Sequence, residues 1–520
     1  MDDVGAQLAG AFVARCSARS LTPDTRLRIL ADGLVSSPST DDDESLGRLH
    51  ERLVSSVEQR ARGAWYTPAW LADDIVARSV STPGQVADPS CGGGVFLLAA
   101  AERLRVLGAK PEVIVNELLW GADVDPLAVA VTEAELWLWS AAHGAPTVAG
   151  PRLVVGDVLV DLSIPSVDVV VGNPPFLGQL KSATSVDADR RRALTARWGD
   201  AVRPYTDASW IFLLAAVEAA CDGGTVSLVL PQSVLGARDA AVVRARVDRR
   251  AELVDCWVDD GKTFAAAVDV CVPTLRLDPT GTGAANDWLG PLGRASGTPM
   301  VAIGGSTQVL GDVATVYAGF RDEYYGLVDA VSEGGEGPSL ITSGSIDPFR
   351  LRNEPVRFAK QRWHSPVVDI TKASGRAARW VEVQAGPKLV VASQTRVLEG
   401  VVDADGATVA GVPALVIRPD EVDDLWLLAA AVHAPVVSAW MMQRTIGTAL
   451  SSDACRPTSD LVSRIPLPTH RVEWERAASL GRDLASGHEC WGEFATVADA
   501  AYGVDDSELR NWWLGRIPLR

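Results

Sequence analysis

The chain has 520 residues, 47% of them hydrophobic and 22% charged, so ordinary globular cores are within reach and two or more domains are expected. A formal net charge of −18 speaks against a uniformly basic nucleic-acid binder, although a local basic face would suffice for phosphate contact. Seven cysteines with no CxxC pair argue against a disulfide framework and a metal site, and fit a reducing cytoplasm.

The start, MDDVGAQLAG, is acidic where a signal peptide would be basic. Residues 1–48 read as a helical lead-in containing the polar stretch SSPSTDDDES. Across residues 49–283, short β-branched runs (QVADPS, LWGADVD, RLVVGDV, VDVVVGNPP, TVSLVLP, LVDCWVDD, VCVPTLRL) are interleaved with helical ones such as VFLLAAAERLRVLG and PLAVAVTEAELWLWSAA. Such alternation predicts an α/β fold, a doubly wound, Rossmann-like parallel sheet that binds ligands at the carboxyl ends of its strands. The stretch DPTGTGAANDWLGPLGRASGTP reads as a linker. Residues 298–470 lose the alternation and predict a mixed α+β domain. Within it, ten Lys/Arg between Arg350 and Arg396 meet only three acids, Glu354, Asp369 and Glu382. A second basic stretch runs from Arg190 to Arg203. The apolar run Leu425 to Met442 contains His433 and Pro435 and reads as a buried helix pair rather than a membrane span. Residues 471–520 form a helical tail with Trp474, Trp491, Trp512 and Trp513.

Chemistry concentrates at the predicted strand ends. In VADPSCGGGVFLLAAAERL a strand ends at Asp88 and a glycine turn, Gly92 to Gly94, leads into a helix. Glycines there let backbone amides approach a ligand, and the absence of GKS or GKT excludes a phosphate-cradling loop. In LLWGADVDPLAV, Asp123 is placed to accept both ribose hydroxyls of a nucleoside, while Asp125 caps the next helix. In VVGDVL, Asp157 is placed to accept the exocyclic amine of an adenine. The decisive element is VDVVVGNPPFLGQ, an apolar strand breaking into Asn173-Pro174-Pro175-Phe176. Prolines lack a donor and fix the backbone, so an amide oxygen and a proline carbonyl can together accept both hydrogens of a planar amino group. Phe176 offers a flat face to a base.

This ordered set resembles the N6-adenine DNA methyltransferases in which NPPY or NPPF follows the cofactor motifs and a target-recognition domain lies C-terminal to both. WYTPAWLADDIV is similar to their upstream cofactor motif, which gives Tyr66, Thr67 and Pro68 to the methionine moiety. The resemblance gives Asp88, Pro89, Cys91 and Gly92 to the cofactor loop, Asp123 to the ribose and Asp157 to the adenine ring. Asn173, Pro174, Pro175 and Phe176 take the target adenine, and Phe264 stacks on its other face. The likeness covers about residues 50–280. More loosely, GDVATVYAGFRDEYYG and DLWLLAAAVHAPVVSAWMM followed by LVSRIPLP look like the opening and closing of a recognition domain, with Arg350, Arg352, Arg357, Lys360 and Arg362 as DNA contacts between them.

The resemblance implies a soluble cytoplasmic enzyme that transfers a methyl group from S-adenosyl-L-methionine to a flipped-out adenine in double-stranded DNA. It would need no metal, and could serve a restriction-modification or phage-defence system beside a separate subunit. Two alternatives stay open: an NPP-motif methyltransferase acting on protein glutamine or RNA, and a catalytically silent DNA-binding relative.

Overall fold

The computed structural model describes residues 3–18, 25–26, 45–53, 67–145, 151–177, 188–203, 206–259, 269–278, 286–319, 321–373, 375–445 and 454–518. The chain divides into two compact units, Met1–Pro291 and Leu292–Arg520.

The first unit is built on an eight-stranded sheet. Its strands are β1 (Val86–Asp88), β2 (Leu119–Asp123), β3 (Arg152–Val155), β4 (Val167–Gly172), β5 (Ala220–Leu228) with its short continuation β6 (Leu230–Pro231), β7 (Ala251–Val258) and β8 (Val270–Leu277). The order is β3-β2-β1-β4-β5-β8, with β7 on the far side of β8. The first five strands run parallel, whereas β8 is antiparallel to both β5 and β7. The sheet is therefore the expected α/β one with an antiparallel margin. Alternation of apolar runs cannot reveal that margin, because a buried strand reads the same in either direction.

Apolar spacing explains the helices laid on this sheet. Helices α1 (Asp3–Ala18), α2 (Leu46–Leu53), α3 (Ala69–Ser79), α4 (Val95–Val106), α5 (Pro126–Ala142), α6 (Ala188–Trp198), α7 (Ala208–Ala219) and α8 (Ala241–Asp248) precede or link the strands. One core joins Leu71, Ile75 and Val76 of α3 and Phe96, Leu97 and Leu104 of α4 to Val86, Leu119, Val169 and Val171 of the sheet. A second joins Leu8 and Phe12 of α1 and Leu46 of α2 to Val131 and Trp137 of α5. Burying such large side chains contributes about 1.5–3 kcal/mol each. Helix α7 buries Trp210 through Val217 without interruption, as expected of a helix apolar on every side. Asp207 starts it by accepting from the Ser209 amide.

Among its described residues the second unit holds two four-stranded sheets. In one, β9 (Ala314–Ala318), β15 (Lys388–Val391), β16 (Gly400–Asp403) and β18 (Leu415–Pro419) lie in the order β16-β15-β18-β9, all antiparallel. In the other, β10 (Val331–Glu333), β11 (Ser339–Ile341), β14 (Pro366–Val368) and β17 (Thr408–Ala410) lie in the order β10-β14-β11-β17. A separate hairpin joins β12 (Val356–Phe358) to β13 (Gln361–Trp363). Lys388 and Asp403 form a buried ion pair at 2.5 Å across β15 and β16. The apolar run expected as a helix pair is Leu425–His433 followed by Pro435–Thr445, bent by 63° and buried along nearly its whole length. No single helix among the described residues is long and apolar enough to cross a membrane. The last stretch folds as Arg471–Ala485, Trp491–Ala501 and Ser507–Leu514.

Candidate active site

The carboxyl ends of the parallel strands open into one cavity of about 1320 Å³, more than the ~300–1,000 Å³ typical of a pocket for one small molecule. Its wall includes Thr67, Pro68, Asp88, Pro89, Cys91, Gly92, Asp123, Asp157, Asn173 and Pro175. The sequence thus brings together, from positions spread over about a hundred residues, nearly all the groups expected at the cofactor and target subsites.

The glycine loop is fixed by its own chain. After β1, the Cys91 amide donates to the Ala122 carbonyl at 2.9 Å, and Gly94 N–H returns to the Cys91 carbonyl at 2.8 Å. Gly92 and Gly94 have φ of +50° and +88°, conformations that L side chains rarely adopt, and Gly94 is the residue from which α4 starts. Asp123, at the end of β2, holds this loop. Its Oδ2 accepts from the Gly92 amide at 3.0 Å and its Oδ1 from the Asp125 amide at 2.9 Å. Each carboxylate oxygen has a second lone pair, so two hydroxyls can still be accepted. Burial raises the Asp123 carboxyl, and these two amides oppose that. Asp125 begins α5 by accepting from Leu127 N–H at 2.9 Å.

Asp88 is buried, with its Oδ1 3.0 Å from the Ser90 amide. A Cβ on Gly172, at the end of β4, would stand 2.6 Å from the same oxygen. A side chain there would force apart the ends of β1 and β4. Burial pushes the Asp88 carboxyl up to about 8, so it is largely a neutral hydrogen-bonding group at neutral pH. Burial likewise raises the Cys91 thiol, which makes it an unreactive wall residue.

The Asn-Pro-Pro-Phe segment is held at both ends. The Gly172 carbonyl accepts from Val229 N–H at 2.9 Å, and the Leu177 carbonyl from Ala208 N–H, at the start of α7, at 3.2 Å. Asn173 Nδ2 donates to Thr67 Oγ1 at 3.0 Å, which orients the amide and directs its oxygen away from Thr67. Thr67 itself is buried. Pro174 is buried, and Phe176 packs partly buried against the sheet core. Neither belongs to the cavity wall, where Leu177 and Phe212 stand instead. The Phe176 ring, expected to face a base, packs in this structure on the apolar core of the sheet. Tyr66 and Phe264 lie outside the described residues.

Asp157 departs from its expected simplicity. Its Oδ1 accepts from Leu159 N–H at 2.9 Å, and Arg190 reaches Oδ2 through Nε and Nη2, both at 3.1 Å. Arg190 also lines the cavity. The basic stretch to which it belongs is mostly tied to its own surroundings: Arg197 Nη1 donates to the Val158 and Leu162 carbonyls, and Arg192 pairs with Asp189. Sequence reasoning missed Arg190 as a cavity residue, because only the fold brings α6 to β3. It missed Ser45, Gly47, Arg48, His50 and Glu51 for the same reason, and they also line the cavity. Among the described residues no cluster of ligands suited to a metal ion occurs.

In the second unit the five expected DNA contacts fall into two groups. Arg350 is committed to the protein, with Nε on the Leu484 carbonyl at 2.6 Å, Nη1 on Glu489 at 2.9 Å and its guanidinium over Trp491. Arg352 pairs with Asp347 at 2.5 Å. These two arginines hold loops rather than face solvent. Arg357, Lys360 and Arg362 are exposed on the β12–β13 hairpin, where Arg357 and Arg362 stand directly opposite each other.

Residues 41–260 match the N-6 DNA Methylase family. Among curated proteins, the type I restriction enzyme MjaIX methylase subunit of Methanocaldococcus jannaschii is 28% identical over 202 residues, which cover 37% of this chain and 33% of that protein. The chain thus spans about a third of that relative's length. Among solved structures, the type IIG restriction endonuclease BpuSI aligns over 99% of this chain and 77% of its own at 12% identity and a TM-score of 0.40. The type I restriction enzyme EcoKI M protein aligns over 53% of this chain and 58% of its own at 18% identity and a TM-score of 0.33.

Proposed function

We propose that this chain, whose residues 41–260 match the N-6 DNA Methylase family model, is a cytoplasmic DNA methyltransferase that uses S-adenosyl-L-methionine to methylate the N6 amino group of adenine. The observation that carries the reading is the single cavity onto which the glycine loop, Asp123, Asp157 and the oriented Asn173 amide all open. Its donor set suits a nucleoside cofactor: a carboxylate for the ribose at Asp123, a second carboxylate at Asp157, and loop amides beside a buried acid at Asp88.

When bound, the cofactor supplies an electrophilic methyl group. The chain's part is to hold the target nitrogen in line with it. Asn173 and a carbonyl of the Pro174-Pro175 pair, of which Pro175 lines the cavity, accept the two amino hydrogens, which draws the nitrogen toward a tetrahedral geometry and exposes its lone pair. Because the nitrogen would shed its proton only after accepting the methyl group, the residues around Asn173 would not have to include a strong base. Rate comes from positioning and from hydrogen bonds that tighten toward the transition state. The base must leave the duplex to reach Asn173, which costs about a few kcal/mol.

On the DNA side, Arg357, Lys360 and Arg362 supply phosphate contacts from the hairpin. Arg350 and Arg352 serve its support. A separate restriction or defence-system subunit belongs to the same reading, since the M. jannaschii relative is by name a subunit of such an enzyme. Transfer of a tritiated methyl group to duplex DNA, with N6-methyladenine identified in the digest, tests the proposal. The wild-type chain labels adenine, and Asn173→Ala loses labelling while still binding S-adenosylhomocysteine. Undiminished labelling by Asn173→Ala removes the assignment.

A further inference from the structure

The segment from Ser45 to Leu53 lies outside every motif read from the sequence, yet Ser45, Gly47, Arg48, His50 and Glu51 form part of the cavity wall. Its placement is set by backbone. A Cβ on Gly47 would lie 2.6 Å from the Gly93 carbonyl oxygen, and one on Gly93 would lie 2.7 Å from Gly47 Cα, so α2 rests directly on the glycine loop. The Gly47 amide donates to Glu135 Oε1 of α5 at 3.2 Å, and Leu46 is buried with Leu8, Phe12 and Trp137. This helix is docked from two sides.

Residues three and four apart on a helix share a face. The turn that touches the glycine loop therefore also carries Glu51, with Arg48 beside it. Burial pushes the Glu51 carboxyl up to about 7, and Arg48 opposes that shift. A carboxyl and a guanidinium side by side at the glycine loop are complementary to a zwitterion, and the α-amino acid end of the proposed cofactor is one.

We propose that α2 is the fourth wall of the cofactor site and that Glu51 and Arg48 form the subsite for the amino-acid end, Glu51 receiving its ammonium and Arg48 its carboxylate. This rests on the cofactor reading above. Calorimetric titration of the full chain with S-adenosylhomocysteine and with 5′-methylthioadenosine, which keeps the nucleoside and thioether but lacks the amino acid, tests it. Glu51→Gln and Arg48→Gln are each expected to weaken S-adenosylhomocysteine by about 10-fold, the scale of one lost charge-assisted contact, and to leave 5′-methylthioadenosine unchanged. Retained nucleoside binding also shows that the variants are folded. Unchanged S-adenosylhomocysteine affinity, or equal weakening of both ligands, overturns the subsite while leaving the cofactor reading intact. A wild-type chain that binds neither ligand overturns the cofactor reading and the subsite with it.

Discussion

Single side chains decide whether the proposed chemistry is geometrically available. Asn173 matters through its oxygen, but it is Thr67 that orients the amide, by accepting from Nδ2 at 3.0 Å. Thr67→Val keeps the shape and removes the acceptor. It should lower kcat by about 10-fold with little change in S-adenosylhomocysteine affinity, because a mis-set amide costs positioning rather than cofactor contacts. Steady-state kinetics beside a binding titration would check this, and a loss confined to cofactor affinity would refute it. Arg190 poses a similar question at the other end of the cavity. Its ion pair keeps Asp157 turned toward α6, so Arg190→Gln is expected to change affinity for adenosine-containing ligands several-fold. An adenosine titration on wild type and variant tells whether the pair takes part in the subsite. The sequence made Asp157 and Asn173 visible, since each ends an apolar strand. It could not make visible the partner Arg190, nor that Thr67, read as a cofactor residue, would orient Asn173; both approach through tertiary packing.

At the scale of elements, two features carry distinct expectations. Helix α2 fits against the glycine loop only because neither Gly47 nor Gly93 carries a side chain. Gly47→Val would force the helix off the loop, costing about 1–3 kcal/mol as overpacking does. The expected result is faster amide hydrogen exchange in residues 46–53 and weaker S-adenosylhomocysteine binding; unchanged exchange would mean that the contact is not restrictive. The β12–β13 hairpin places Arg357 opposite Arg362, an arrangement in which like charges repel. Replacing both with Gln should relieve the hairpin and yet weaken DNA binding. It should also flatten the salt dependence of binding by about 1.8 in log–log slope, at ~0.9 per phosphate contact for B-DNA. Fluorescence anisotropy across a salt series measures it, and an unaltered slope would place the DNA face elsewhere. Element existence was readable from the chain: each of the seven β-branched runs forms a strand. Element direction was not, as β8 shows, and neither was the split of the basic run into committed arginines at 350 and 352 and exposed ones at 357 and 362.

The molecule as a whole carries an unusual titration pattern. Burial raises Asp88 and Glu399 to about 8 and Asp499 to about 7, whereas the unfolded chain ionises such groups near ~4. Between those values the native state binds more protons than the unfolded one, so stability falls as pH rises. Buried His433, lowered to about 4, acts the other way, but only up to the unfolded value of about 6.5. Two carbonyls, of Ala429 and Gly400, face its ring, and burial outweighs them. Above pH 6.5 the acids prevail. Urea unfolding should therefore give a lower stability at pH 8 than at pH 6.5, by about 4 kcal/mol, and Asp88→Asn should show a shallower decline. A rise over that interval would contradict the buried-acid picture. One further property follows from the bond between Asp123 and the Gly92 amide. The loop is already tied to the carboxylate proposed to take the ribose, so capture of a nucleoside would not have to wait for this loop to settle. Association should then be a simple second-order event, with a rate set by diffusion into the opening and an ordering entropy too small to govern the affinity.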